Sequence, residues 1–363
     1  MRRCPLCDAA LKSGPKKESL AEVLYRLNCP HCGTYRLDGR ARELVAELGG
    51  KRAYLVNFVR GIGANGGLST FRGELVTYLV GAYLCAEQAC VQRGLMAAHI
   101  EHCGAGFDSR NPVFRVEDKG QVFSLRVHAP DAALDEIRAQ LLWVKGLRDQ
   151  AGLLVLQPLL NREGQPFELA GKGQPRPCVF YDWIEGETVK EAQVRGLSEQ
   201  LIEKLGEFIA AMHRHSRAFT PPSWFVRPRY DREFIEQNLR LGQTQADDGD
   251  AAETVRAVME IVDDLDAAPD TFGMVHSEPA NANLLIQAGR IGAIDFQVCG
   301  WGYYSVNIVR ALRGLFPKAD ELMDGSESRL FLKGYQRVQA LPADLHRHAE
   351  VFLRAWPLAR HIF

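Results

Sequence analysis

Two short apolar runs meeting at a tight turn, flanked by acid, amide and imidazole side chains, constrain this chain more than any other feature. They lie within residues 274–311, MVHSEPANANLLIQAGRIGAIDFQVCGWGYYSVNIVRA. Residues 283–286 and 291–294 surround Gln287-Ala288-Gly289-Arg290, and the alternation and turn chemistry predict a β-hairpin. His276, Glu278, Asn281 and Asn283 precede the first run, and Asp295, followed by Phe296, ends the second.

A carboxylate, an amide oxygen five residues on and a second carboxylate across a hairpin make an oxygen-rich set suited to Mg²⁺, which prefers hard ligands and keeps waters for phosphate. Phosphoryl-transfer centres use this layout, with a base and an amide metal ligand on one loop and an Asp at the end of the next strand. Asn283 and Asp295 are thus the expected Mg²⁺ ligands, and Glu278, Asn283 and Asp295 the expected catalytic set. His276, two residues before the base, is better placed to brace the loop than to move protons.

The stretch resembles the aminoglycoside phosphotransferase family, in its stress-response kinase and homoserine kinase-like branch. That family writes H-G-D-x-H-x-x-N, a hairpin, I-D-F, G-x-G and a D-L pair, where this chain writes HSEPANAN, IDF, GWG and NI. His276, Asn283 and Asp295 match. Glu278 stands at the catalytic Asp, Ala280 at the second His, and Asn307 at the Asp of the D-L pair. Further back, NPVFRV, LRVH and IRAQLLWV follow the branch's N-x-V-[FY]-R-V, L-[KR]-x-H and I-R-x-E-L-x-W-L. The resemblance puts Arg126 at the phosphate-holding Lys and Gln140 at the Glu that pairs with it. An arginine fork clamps phosphate without a carboxylate partner, so the double change is that of a reworked clamp. In CVFYDWIEGET the resemblance implies an inter-lobe hinge, with adenine bonded by the backbone of Asp182, Trp183 and Ile184.

The expected fold is therefore α+β, a protein-kinase-like bilobal arrangement of a small antiparallel N-lobe sheet and a helical C-lobe. The resemblance runs from residue 111 to the C-terminus. The pattern supports it: a hairpin at 111–128 turning at Lys119-Gly120, a helix at 131–150 on the small sheet, a strand at 153–157, and strands near 161–169 and 177–184. Helices are expected at 197–215, 224–236, 251–265, 306–315, 327–339 and 345–358, with a polar loop at 243–250. Trp301, Tyr303, Tyr304 and Trp356 are candidates to line an acceptor pocket.

Ahead of this stand Cys4-Pro-Leu-Cys7 and Cys29-Pro-His-Cys32-Gly33. Two C-P-x-C knuckles so separated bring four thiolates to one tetrahedral Zn²⁺, and the segment resembles a zinc ribbon. Four sulfurs saturate the metal, which leaves His31 outside it. Cys85, Cys90, His99, His102 and Cys103 match no ligand spacing and read as core and surface residues. A helix is expected at 38–48 with an Asp38 cap, a second at 51–62, and a linker at 65–69.

The expected divisions are a zinc ribbon at 1–37, a helical linker region at 38–105, an N-lobe at 106–186 and a C-lobe at 187–363. Residues 1–60 hold twelve Lys or Arg and six Asp or Glu, hence +6 against a whole-chain charge of -1. Any nucleic-acid or acidic protein partner would meet this end, through Arg40, Arg42, Lys51, Arg52 or Arg60, although scattered basic residues on a helix usually form a solvated face. No run is apolar and long enough for a signal peptide or a membrane span, and the nine cysteines fit metal ligands and buried thiols, so a cytoplasmic protein is expected.

Three functions follow from the sequence. The first is an ATP-dependent phosphotransferase acting on a hydroxyl of a small molecule or protein. The second is a nucleotide-binding pseudokinase that regulates partner contacts through the zinc ribbon, and the third a nucleic-acid reader with the kinase fold as sensor.

Overall fold

Lys119 and Gly120 take φ of 50° and 81°, and Ala288 and Gly289 take 49° and 74°. Two successive positive φ values match the right-handed strand twist, so each pair closes a two-residue hairpin. The first joins strands Val113–Asp118 and Gln121–Val127; the second joins Leu284–Gln287 and Arg290–Ala293. This computed structural model describes residues 3–13, 16–17, 24–48, 55–56, 59, 69–103, 110–243, 250–266, 270–316, 322–343 and 345–358. The chain divides into two compact units, Met1–Leu134 with Pro158–Trp183, and Asp135–Gln157 with Ile184–Phe363.

In the first unit, strands Leu24–Cys29 and Gly33–Asp38 form a hairpin at the second cysteine knuckle, with Lys16–Lys17 and Ser69–Phe71 at the sheet edges. Asp38 caps helix Gly39–Glu47 by accepting from the Ala41 N–H at 2.6 Å, which satisfies one of the orphan donors of the first turn. A second sheet follows the order His99–Cys103, Val113–Asp118, Gln121–Val127, Arg176–Asp182, Glu168–Ala170, antiparallel throughout. Phe114 opposes Leu125, which opposes Phe180, so all three share one face, and helix Gly73–Arg93 covers it. One continuous apolar core runs from Cys4, Leu27 and Tyr35 through Val76, Leu79 and Ala86 of that helix to Phe114, Leu125 and Phe180. The cysteine segment is thus built into the same core as the five-stranded sheet.

The second unit surrounds helix Glu199–Ala218, capped by Ser198, whose buried Leu205, Phe208, Ile209 and Met212 follow helical spacing. It crosses helix Ser326–Val338 where Gly206 and Gly334 meet: a Cβ on Gly206 would lie 1.9 Å from the Phe331 carbonyl oxygen. Helices Arg232–Gln243, Asp250–Asp266, Tyr304–Leu315 and Leu345–Ala355 complete the layers. The β-elements of this unit include a three-stranded sheet of Arg229–Tyr230, Gly300–Tyr303 and Phe272–Val275.

Three expectations need correction. The helix packed on the five-stranded sheet is Gly73–Arg93, whereas Leu134–Asp149 falls almost wholly in the second unit, because apolar periodicity shows that a helix is buried but not against what. The strand read at 153–157 is Leu154–Val155 and pairs in parallel with Arg290–Ala293 of the second unit. The helix read at 224–236 begins only at Arg232: Pro228 lacks an N–H and disfavours helix at Arg227, and Arg229–Tyr230 pairs with Trp301 and Gly302 instead.

Of the helix read at 51–62, only Leu55, Val56 and Val59 are described, all buried; Lys51, Arg52, Arg60 and most of the 65–69 linker and the 243–250 loop lie outside the described residues. Among the described residues, no helix is long and apolar enough to cross a membrane.

Candidate active site

The hairpin register decides which side chains converge. Leu284 opposes Ala293, and the Ile294 N–H donates to the Asn283 carbonyl at 2.9 Å, so Asn283 and Asp295 stand at the same end of the ladder. Asn283 Nδ2 donates to the Glu278 carbonyl at 3.0 Å. That bond turns the amide so that Oδ1, a hard oxygen, is left for a cation. Asp295 follows with φ of 62°, and Ser277 has φ of 68°. Non-glycine residues in this region cost of order 1–3 kcal/mol and concentrate at functional sites.

His276 is fully buried and holds the loop together. Its Nδ1 accepts from the Glu278 N–H at 3.3 Å, so Nε2 carries the proton and donates to the Ile294 carbonyl at 2.9 Å. Burial pushes its pKa down, and Phe296 packs on the ring with centroids 4.4 Å apart. Phe296 in turn meets the edge of buried Trp143 at 5.7 Å, which anchors the residue after Asp295 in the core. Asn281 donates to Gln193 at 2.7 Å, tying the loop to helix Val189–Gln193.

The remaining candidates occupy several places. Arg126, buried, lies in strand Gln121–Val127 opposite Val113 and Val179. Asp182 ends strand Arg176–Asp182, and the Arg115 guanidinium sits 5.6 Å from the Trp183 ring centroid. The division between the two units falls between Trp183 and Ile184, and buried Gln140 belongs to the second. Of the four aromatic candidates, Tyr303 lines the cavity beside Glu278, while Trp301 meets Phe225 edge to face, Tyr304 packs against His213, and Trp356 packs against the core.

Sequence reading missed Arg227, Tyr230 and Arg310. Arg227 donates to the Cys299 carbonyl at 2.7 Å and the Glu136 carbonyl at 3.3 Å, and Tyr230 O–H donates to the Val298 carbonyl at 2.7 Å, so both hold the segment after Asp295. Arg310 donates to Glu278 Oε1 at 3.2 Å. Burial pushes the Arg310 pKa down, with the Glu278 carboxylate opposing that shift. The one available signal was helical spacing, which puts Arg310 one turn beyond Asn307.

Buried His213 joins this region to the core. Its Nε2–H donates to Asn307 Oδ1 at 2.9 Å and its Nδ1 accepts from Tyr335 O–H at 2.9 Å. Burial pushes its pKa down from 6.5 to about 4. The folded chain therefore resists a proton that the unfolded chain accepts, and the stability this gives is complete above pH 6.5 and lost as pH falls toward 4. At pH 5 the expected loss from His213 alone is about 2 kcal/mol. Urea melts at pH 7 and pH 5 check this: the drop should shrink in His213→Gln, and an equal drop in both proteins would contradict it.

In the first unit, Cys4, Cys7, Cys29 and Cys32 place their sulfurs within 4.8 Å of one another. The Cys4–Cys32 and Cys7–Cys29 separations are 3.8 and 3.5 Å. Zn–S bonds of about 2.3 Å in a tetrahedron require sulfurs about 3.8 Å apart, so the set fits one Zn²⁺. The His31 and Cys32 N–H groups point at Cys29 Sγ at 3.4 and 3.3 Å, the second knuckle turned inward. A hydrogen bond from Cys32 is the main cause that pushes the Cys4 thiol down to about 4, and burial pushes Cys7 up. Among the described residues no other cluster of three or more His, Cys, Asp or Glu ligands forms.

The profile of the phosphotransferase enzyme family matches residues 100–341, well over half of the 363. The chain belongs to this family. It is 24% identical over 203 residues to the amicoumacin kinase of Bacillus subtilis, covering 54% of this chain and 58% of that protein. The chain thus spans under two-thirds of that curated relative's length. A microcompartment-associated aminopropanol kinase shares the fold, with a TM-score of 0.61 and 22% identity, over 76% of this chain and 87% of that one. An amicoumacin kinase in complex with AMP-PNP, Ca²⁺ and Ami gives a TM-score of 0.59 and 22% identity, over 72% and 78%. As a member of this family, the chain has the α+β protein-kinase-like fold.

Proposed function

We propose that this phosphotransferase transfers the γ-phosphoryl group of ATP to a hydroxyl of a small molecule. The carrying observation is the hairpin register with the orientation of Asn283: its amide nitrogen donates to the Glu278 carbonyl, which turns its oxygen the other way, and Asp295 stands at the same end of the ladder, so the two supply the hard oxygen types that Mg²⁺ takes. Bound Mg²⁺ would neutralise the phosphate oxygens as charge develops on them. Glu278 accepts the acceptor hydroxyl's proton, and Arg310 restrains its longer arm at 3.2 Å. His276 keeps that loop fixed through its two backbone bonds. On the family resemblance, Arg126 and Gln140 are each assigned to nucleotide binding, Arg126 to the phosphates, and the backbone of Asp182, Trp183 and Ile184 to the adenine. The amicoumacin kinase complex with AMP-PNP and Ca²⁺ supports a nucleotide and a divalent cation as the chain's ligands.

The ribbon is assigned a structural Zn²⁺. Cys4, Cys29 and Cys32 share one core with helix Gly73–Arg93, which supports a scaffolding role for the ribbon.

The Glu278–Arg310 ion pair also favours a second reading, a nucleotide-binding pseudokinase in which the carboxylate is held from acting as a base. ³¹P NMR of ATP turnover separates the two. Phosphotransfer predicts turnover that falls on the order of 10²-fold in Glu278→Ala. Binding of Mg-ATP without turnover by the wild type would favour the pseudokinase.

A further inference from the structure

The four-cysteine set of the first unit lies almost wholly out of water: Cys4, Cys29 and Cys32 are 1%, 1% and 2% exposed. Four thiolates around one divalent ion carry an excess of two negative charges. Charge buried in this way is costly unless N–H or O–H groups point at it.

Cys29 Sγ is met by the His31 and Cys32 N–H groups at 3.4 and 3.3 Å. Cys4 Sγ is met by a side chain, the Tyr35 hydroxyl at 3.0 Å. A zinc-bound thiolate has lost its proton, so in the loaded site the hydroxyl donates and the sulfur accepts. Tyr35 is fully buried on strand Gly33–Asp38, opposite Leu27 and among apolar neighbours of the same core. A phenylalanine ring would fill that space equally well; what the hydroxyl adds is a donor to the sulfur.

Both partners are held in place by backbone. The Cys4 N–H donates to the Ala9 carbonyl at 2.8 Å, and the Cys4 carbonyl accepts from the Asp8 N–H at 2.9 Å, which fixes the first knuckle. Asp38, at the far end of the Tyr35 strand, accepts from the Ala41 N–H at 2.6 Å and from the Gly73 N–H at 3.2 Å, at the starts of helices Gly39–Glu47 and Gly73–Arg93.

We propose that Tyr35 is a positioning residue of the zinc centre, whose O–H offsets part of the excess charge on the Cys4 thiolate and strengthens the grip of the site on the ion. This role rests on the assignment of Zn²⁺ to the four cysteines and concerns a residue outside the ligand set. Groups that hydrogen-bond a metal ligand change metal affinity by about 10–100-fold.

Tyr35→Phe in the full chain, which keeps the ring and removes the hydroxyl, tests it by chelator competition for Zn²⁺ and by the absorption spectrum of the Co²⁺-substituted protein. The expected results are zinc affinity at least about tenfold weaker than in the wild type and a sulfur-to-cobalt charge-transfer band moved to longer wavelength, because a thiolate without its donor gives up charge more readily. Leu37→Ala thins the same core and keeps the hydroxyl, so it should leave the band where it is. Equal zinc affinity in Tyr35→Phe and the wild type, or the same band shift in Leu37→Ala, overturns the proposal. Elemental analysis of wild type reconstituted with Zn²⁺ separates the two assignments: absence of zinc overturns the metal site and Tyr35's role together, whereas one zinc per chain held equally by wild type and Tyr35→Phe overturns only the role of Tyr35.

Discussion

Removing the metal from the four-cysteine site, by chelation or by Cys32→Ser, is expected to unfold the first unit well below the temperature at which the intact chain melts. The four sulfurs lie within 4.8 Å of one another, a spacing that bare thiolates would oppose by mutual repulsion and that Zn²⁺ turns into attraction. Structural zinc supplies folding free energy directly, roughly 10–16 kcal/mol in small zinc modules at neutral pH. Here the loss would not stay local. Cys4, Cys29 and Cys32 share one core with Val76 and Leu79 of helix Gly73–Arg93, and that core continues to Leu125 beside Arg126 in the next sheet. Even a third of that free energy lowers the melting temperature by on the order of 10 °C in a unit of this size. Elemental analysis should find one zinc per chain, and differential scanning calorimetry should show the shift. Full thermal stability in metal-free protein would contradict the assignment.

The second large effect is expected at Asp295. Asp295→Ala should lower ATP turnover by at least about 10³-fold, since phosphoryl transfer depends mainly on charge stabilisation and positioning. Its left-handed φ of 62° is a conformation that Asp adopts more readily than most residues, and Phe296 behind it is wedged between His276 and Trp143. Phe296 holds the backbone from behind, and Asp295→Asn, which keeps a residue that tolerates this φ while removing the charge, should show the same fall. Turnover in Asp295→Ala within tenfold of the wild type would show that the carboxylate is not a metal ligand.

Much of this was readable from sequence, for identifiable reasons. The hairpin carrying Asn283 and Asp295 declares itself locally, through Gly289 and the apolar runs beside it. The cysteine knuckles do the same, because two C-P-x-C turns need little else to gather four sulfurs. The contacts that sequence left obscure join distant segments. Leu154–Val155 is a short apolar strand that suits any sheet, and only the structure shows it beside Gly292. Residues 224–236 carry apolar and charged residues at helical spacing, yet Pro228 and the pairing of Tyr230 with Gly302 override that pattern. The Glu278–Arg310 pair spans 32 positions, and nothing near Glu278 announces its partner. Helix Gly73–Arg93 reads as buried from its apolar content, but the sheet it covers lies up to about a hundred residues further along.

Isothermal titration of ATP into the full chain, with Mg²⁺ and then with EDTA, tests the hairpin cation site most directly, with Asp295→Asn in parallel. If Asn283 and Asp295 hold the cation against the triphosphate, ATP binds at least tenfold more tightly with Mg²⁺, and Asp295→Asn removes that gain while leaving metal-free binding unchanged. Equal ATP affinity with Mg²⁺ and with EDTA in the wild type would contradict the account.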